Sequence, residues 1–318
     1  MKKFIALLAL PLLAVAAHAQ NWPERPVKIV VPYPAGGTVD LVARVLAQSL
    51  SEQTGTQFVV DNRSGASGSI GSDLVAKAAP DGYTLLVQSP TLIAYPLIAR
   101  KVPYDAIRDF KPVAMLGTVP MVLAINANLP AKNLKEFVAL AKADPAKYAF
   151  GTSASGSPMH LANEAIKKES GLTTPVVVYR GTAGAINDAL GGQISGFIDA
   201  LPSTAPHIHS GKLRALAVTS GKRVGALPDV PTVAESGIAG FDMQSWYGLW
   251  APRELPEPIA RRMQEQVRKA MASQLVRERL ASQNFQADVL VGDAFSTFIT
   301  RQLATYSRIV KDANITAE

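Results

Sequence analysis

The sequence predicts an α/β protein built as two lobes, each a mainly parallel sheet flanked by helices and joined to the other by a hinge. Short β-branched runs alternate along the chain with stretches of helical period, as in parallel sheets with crossover helices. The chain has 318 residues, more than one hydrophobic core usually organises. A strand, a loop of small residues and a helix also recur as a unit, starting near Val27, Tyr148 and Pro175.

The N-terminus predicts export. Lys2 and Lys3 precede an apolar run, Phe4 to Ala17, which is too short to span a bilayer, and Ala17-His18-Ala19 is a small-x-small cleavage site. Residues 1–19 therefore read as a secretory signal peptide, the other reading being an anchor that stays in place. No later stretch is apolar for 18 residues, and the chain has no Cys. Without Cys there are no disulfides and no lipidated N-terminal cysteine, so the expected product is a free periplasmic protein. The formal charge of +7 is scattered in pairs such as Arg100-Lys101 and Lys222-Arg223. No basic run is interleaved with aromatics, so nucleic acid is not an expected partner.

Val27–Val31 is an apolar strand ended by Pro32, and Tyr33-Pro34-Ala35-Gly36-Gly37 forms a tight loop. Thr38–Leu50 then reads as a helix with its apolar stripe at Leu41, Val42, Val45, Leu46 and Leu50. Glycines let a ligand approach the backbone closely, and the free N–H groups at a helix start favour an anion. A plain βα turn without ligand is the alternative. Further strands are expected at Gln57–Asp61, Thr84–Gln88, Met121–Ile125, Tyr148–Thr152, Pro175–Tyr179, Ser195–Asp199 and Leu213–Thr219. Further helices are expected at Gly68–Ala78, Asn133–Ala143, Ser157–Ser170, Ala183–Leu190, Ser203–Ser210, Pro258–Ala272, Leu275–Asn284 and Asp293–Ala313. Pro-rich Ala226–Pro231 and Gly237–Gly240 read as connecting loops.

The second unit runs from Tyr148–Thr152 through Ser153-Ala154-Ser155-Gly156 to a helix with Ser157 as N-cap and Pro158 at its first position. The third has strand Pro175–Tyr179, loop Arg180-Gly181-Thr182 and helix Ala183–Leu190. Ligands of open α/β sheets bind beyond the carboxyl ends of strands, so such loops facing one another across a cleft would grip one solute from both sides. Residues 20–118 plus 226–318 are assigned to lobe 1 and 119–225 to lobe 2. The crossings are expected near Gly117–Val119 and between Gly221 and Gly248.

The strings Pro32-Tyr33-Pro34-Ala35-Gly36-Gly37 with Asp40, Asp61-Asn62-Arg63 with Gly65-Ala66-Ser67-Gly68 and Gly71, and Ala79-Pro80-Asp81-Gly82-Tyr83-Thr84-Leu85-Leu86 carry a resemblance. So do Gly151-Thr152 with Gly156-Ser157 and His160, Tyr179-Arg180-Gly181, Leu227-Pro228-Asp229-Val230-Pro231-Thr232, and Trp246-Tyr247-Gly248-Leu249-Trp250-Ala251-Pro252. Over essentially its whole mature length the chain resembles the Bug-type (TctC-like) periplasmic receptors of tripartite tricarboxylate transporters. The resemblance implies a type II-like periplasmic-binding-protein fold with a hinge and a small carboxylated solute in the cleft. That solute could be a dicarboxylate, an amino acid or an aromatic carboxylate. It also implies membrane permease subunits as partners, and a first βα loop that holds a carboxylate, here Tyr33, Ala35, Gly36 and Gly37.

Side-chain chemistry extends the candidate site. Ser89 follows the strand Thr84–Gln88, so its hydroxyl is expected either to face the cleft or to serve the structure only. Thr152, Ser153 and Ser157 offer hydroxyls at a helix start, and His160 in that first turn is expected neutral, as a ligand contact or a support. Tyr179, Gly181 and Thr182 come from the third loop, where Arg180 is expected to be peripheral. Asp199 ends a strand and either accepts from a ligand donor or caps the next helix. Asp40 is expected to serve the helix rather than the ligand.

Enzyme readings are weaker. Gly65–Gly71 lacks the lysine of a phosphate-binding loop. Gly151-Thr152-Ser153-Ala154-Ser155 has Ser where a nucleophile elbow needs Gly. An exported hydrolase built on Ser153, Asp199 and His207 remains an alternative, as does a scaffold that binds nothing. His207-x-His209 has no helical partner set for a metal, and no cofactor, metal site or catalytic residue is expected.

Overall fold

The computed structural model describes residues 22–281 and 284–316, and the expected signal peptide lies outside them. In chain order the elements are β1 (Val27–Val31), α1 (Thr38–Thr54), β2 (Phe58–Asn62), α2 (Ser69–Ala76), β3 (Thr84–Gln88), α3 (Thr91–Ala94) and β4 (Phe110–Asn126). Then come α4 (Leu134–Ala143), β5 (Phe150–Thr152), α5 (Pro158–Ser170), β6 (Val176–Val178), α6 (Thr182–Leu190), β7 (Gly196–Ala200), α7 (Leu201–His209) and β8 (Leu213–Val218). The chain closes with β9 (Gln244–Pro252), α8 (Glu257–Met271), α9 (Gln274–Ala281), β10 (Leu290–Val291) and α10 (Asp293–Asp312).

The fold is two-lobed because one long strand serves two sheets. The N-terminal part of β4 pairs with β9, and from Met121 onward the same strand pairs with β7 and β8. On the lobe 1 side the strand order is β2-β1-β3-β9-β4, with β1 parallel to β2 and β3. On the lobe 2 side, β7, β5 and β6 are parallel neighbours. The outer strands of each lobe are thus parallel, as the alternating pattern predicts. The strands at the junction, β4, β8, β9 and β10, pair antiparallel.

Burial on both faces explains the near-continuous apolar strands. In β1 only Lys28 is exposed. Ile29 packs with Val42, Leu46 and Val267 under α1 and α8, while Val30 packs with Leu92, Trp250 and Phe295 on the opposite face. The period-2 alternation of a strand sends adjacent residues to different layers. α1 ends where Gly55 takes φ 72°, a left-handed cap that suits glycine. In lobe 2, Val224 and Leu227 pack with Val122, Leu201 and Val218, so the loop after β8 lies on that lobe's core.

Besides the short α3 and β10, which the sequence reading does not include, two larger features depart from the expected elements. The strand expected at Met121–Ile125 is the end of β4, whose first half is broken by Pro112 and by register shifts at Pro112/Ala114 and Met115/Gly117. β9, an aromatic strand with an internal Gly248, was not expected at all. There a Cβ would meet Phe295 Cζ and Trp250 Cη2, both at 2.6 Å, so the absent side chain makes room for the aromatic layer. No helix among the described residues is long and apolar enough to cross a membrane.

Candidate functional site

A cavity of about 490 Å³ lies between the lobes. Lobe 1 contributes the loop Tyr33–Gly37, the start of α1, Ser89 and Thr91 after β3, and Ser245 and Tyr247 of β9. Lobe 2 contributes Ser153, Ser157, Gly181, Thr182, Asp199 and Ser203.

The first loop is held by a buried carboxylate. Asp40 is 4% exposed; its Oδ2 accepts the Gly36 N–H at 3.0 Å and Arg44 Nε at 2.9 Å, and its Oδ1 accepts Asn62 Nδ2 at 3.0 Å. Asn62 Nδ2 also donates to the Tyr33 carbonyl at 3.0 Å. Burial alone would raise the Asp40 pKa, but the donors from Arg44, Gly36 and Asn62 outweigh it and hold the carboxyl below its ordinary value. Gly36 takes φ 91°, which a residue with a side chain rarely adopts. Its N–H is engaged by Asp40, so the donors left for an anion are those of the α1 start. Gly37, the N-cap, supplies no capping side chain.

Hydroxyls line the rest of the lobe 1 wall. Tyr33 Oη lies 3.5 Å from Ser89 Oγ, which is 3.0 Å from Thr91 Oγ1. Burial raises the pKa of Tyr33, so this phenol stays a neutral hydrogen-bonding group. On β9, Ser245 Oγ donates to Tyr247 Oη at 3.2 Å.

Two loops meet on the lobe 2 side, tied by the Gly181 N–H donating to the Ser153 carbonyl at 2.8 Å. Ser157 caps α5 by accepting the His160 N–H at 3.1 Å. α6 starts at Gly181, with φ 114° and no capping side chain. Asp199, at the end of β7, is 1% exposed; burial pushes its pKa up to about 6 against the Ala200 N–H and the Thr182 and Ser203 hydroxyls, which favour the carboxylate.

Of the expected residues, Tyr33, Ala35, Gly36, Gly37, Ser89, Ser153, Ser157, Gly181, Thr182 and Asp199 line this cavity. Thr152, His160 and Tyr179 do not. Thr152 Oγ1 sits behind the wall, 3.3 Å from Ser157 Oγ, and His160 Nδ1 accepts the Gly156 N–H at 3.1 Å. Burial lowers the His160 pKa, which keeps the ring neutral. Tyr179 donates to Asp188 Oδ2 at 2.7 Å and lines a neighbouring cavity of about 710 Å³. Burial and Asp188 push its pKa up to about 12. Arg180 is exposed, lines both cavities and is the only cation on either wall among the described residues. Sequence reasoning missed Thr38, Thr91, Ser203, Ser245 and Tyr247 as lining residues. The Trp246-Tyr247-Gly248 string was visible, but without a strand there it had no position.

Comparison with known proteins agrees with this architecture. Residues 42–315 match the model of the tripartite tricarboxylate transporter family receptor. Protein BugT of Bordetella pertussis is 36% identical over 303 residues, covering 94% of this chain and 93% of that protein. The solved structure of R. palustris Rpa4515 with adipate superposes with a TM-score of 0.89 at 34% identity, covering 93% of this chain and 99% of that one. The periplasmic binding protein BugD gives a TM-score of 0.87 at 34% identity, covering 93% and 100%. A family match over most of the chain, with relatives of this identity and coverage, means that the chain belongs to the tripartite tricarboxylate transporter receptor family, whose members include Bug-type solute-binding proteins.

Proposed function

We propose that this chain is a periplasmic receptor that captures a small carboxylate between its lobes and hands it to a membrane permease. The observation that carries the reading is the pair of helix starts, α1 at Gly37 and α6 at Gly181, which line one cavity without capping side chains. Free N–H groups and the positive end of the helix dipole favour a carboxylate there. The first grip on the ligand comes from the α1 start and the Tyr33–Gly37 loop, and Ser153, Ser157 and Thr182 close on it from lobe 2. The signal-peptide pattern supports the location, and the adipate carried by Rpa4515 supports the ligand class.

The change of pairing partner at Pro120/Met121 and the step from Met243 into β9 are natural bending points, so lobe 2 is taken as residues 121–243 rather than the expected 119–225, since Leu227 packs on the lobe 2 core. No observation favours the hydrolase reading: His207 stands on α7 and does not line the cavity that holds Ser153 and Asp199.

A thermal-shift panel of small dicarboxylates, amino acids and aromatic carboxylates tests the proposal. A ligand at about 100 times its Kd stabilises by about 2.7 kcal/mol, which for a protein of this size is a Tm rise of several degrees. A melting curve unmoved by the whole panel overturns it.

A further inference from the structure

One atom in the cavity is left over by carboxylate capture alone. Asp199 Oδ1 accepts the Ala200 N–H at 2.6 Å, but Oδ2 is buried and has no hydrogen-bond partner. A buried polar atom left without a partner is costly, and more so when charged. Such an atom on a cavity wall calls for a donor from whatever fills the cavity.

The surroundings limit what that donor can be. Ser203 on α7 lies 3.5 Å from Oδ1, not Oδ2, and bonds the Ala200 carbonyl more closely, at 2.8 Å. The Thr182 hydroxyl, at the α6 start, also favours the Asp199 carboxylate. The other ionisable side chains lining the cavity are Tyr33, Tyr247 and exposed Arg180. Tyr247 on β9 relates the two ends of the chamber: its phenol feels the Asp199 charge, and Thr38, the first residue of α1, lines the same cavity. Asp199 is therefore close to the proposed carboxylate site.

Resting on the carboxylate reading above, we propose that Asp199 is the specificity-determining residue. Its free oxygen accepts from an ammonium or hydroxyl on the carbon next to the ligand's carboxylate. The receptor then takes 2-amino or 2-hydroxy acids in preference to unsubstituted carboxylates. A bound 2-amino acid sets its carboxylate on the α1 N–H groups and its ammonium on Asp199, matching each charge. An unsubstituted acid leaves Oδ2 orphaned and brings a like charge toward it.

Isothermal titration of the mature protein with matched series tests this. Suitable sets are succinate, malate and aspartate; adipate, 2-hydroxyadipate and 2-aminoadipate; and 3-phenylpropanoate, phenyllactate and phenylalanine. In at least one series a 2-substituted member should bind tenfold or more tighter than its parent, and the hydroxyl and ammonium arms tell which donor is read. Asp199→Asn should erase an ammonium preference. If the ammonium is the donor, wild-type affinity for that amino acid should fall as pH drops through about 6, where Asp199 protonates, while the Asn variant stays flat. Parents that bind within twofold of their substituted partners in every series that binds overturn the donor assignment and leave the carboxylate reading standing. No binding by any compound overturns both.

Discussion

Asp40 Oδ2 takes the Gly36 N–H at 3.0 Å, so the glycine loop is braced from inside by a carboxylate on its own helix. The same carboxylate holds Arg44 and Asn62, which links the first loop to the end of β2. Removing its charge should loosen the loop. Arg44 is half-exposed, so its ion pair counts for little, and the loss lies chiefly in the buried hydrogen bonds. Asp40→Asn is expected to cost about 1–2 kcal/mol at pH 7 by urea denaturation. The folded-state pKa of Asp40 is depressed, so its contribution is complete above the ordinary carboxylate range and disappears as pH falls through the folded value. The gap between wild type and variant should therefore narrow as pH falls through that depressed value.

Gly36 and Gly37 separate backbone strain from ligand approach. A Cβ at either position meets nothing within 4 Å. Gly37 has φ −81°, which any residue adopts, whereas Gly36 has φ 91°. Gly37→Val should cost only the poorer N-cap, without the strain of a left-handed backbone, and lose tenfold or more in affinity, about 1.4 kcal/mol. Gly36→Val should lose affinity and also destabilise by about 1–2 kcal/mol. Normal ligand binding by both variants, measured by titration, would place the carboxylate elsewhere.

Arg180 tests whether the site depends on an ion pair. It is exposed at the rim, where a charge steers ligand more than it holds it. Arg180→Ala should slow association at low salt and change Kd by less than about threefold. Stopped-flow binding at two ionic strengths reads both effects.

The segment from β1 to α1 was legible because each level agrees: an apolar strand, a Pro/Gly loop and a helix with a clear apolar stripe. Lobe 2 loops were legible for the same reason, down to Ser157 as the N-cap of α5. The junction was not. Pro112, Pro120 and Gly117 hide a strand as long as β4, and Gly248 with three neighbouring aromatics hides β9. Those strands owe their form to packing against α10 and to each other rather than to local propensity. With β9 unread, Ser245 and Tyr247 could not be placed in the site. Thr152 and Tyr179 stand behind the cavity wall, and His160 takes the supporting place of its two expected ones, because proximity in sequence does not tell a wall from the layer behind it.

The same junction supplies a stability prediction. Trp246 on β9 donates its indole N–H to Tyr306 Oη on α10 at 3.0 Å, and both residues are buried. Tyr306→Phe leaves that N–H without a partner, at a cost of about 1–3 kcal/mol. A Tm lowered by several degrees, with ligand affinity unchanged, is the expected result from thermal melts with and without ligand.

The central claim is that the ligand carboxylate sits at the start of α1. A crystal structure of the mature protein with the tightest-binding carboxylate found by titration tests it most directly. Carboxylate oxygens are expected about 2.7–3.1 Å from N–H groups of Gly37, Thr38 or Val39, or one ordered water away. A carboxylate ion-paired to Arg180, with the α1 start unoccupied, would contradict it.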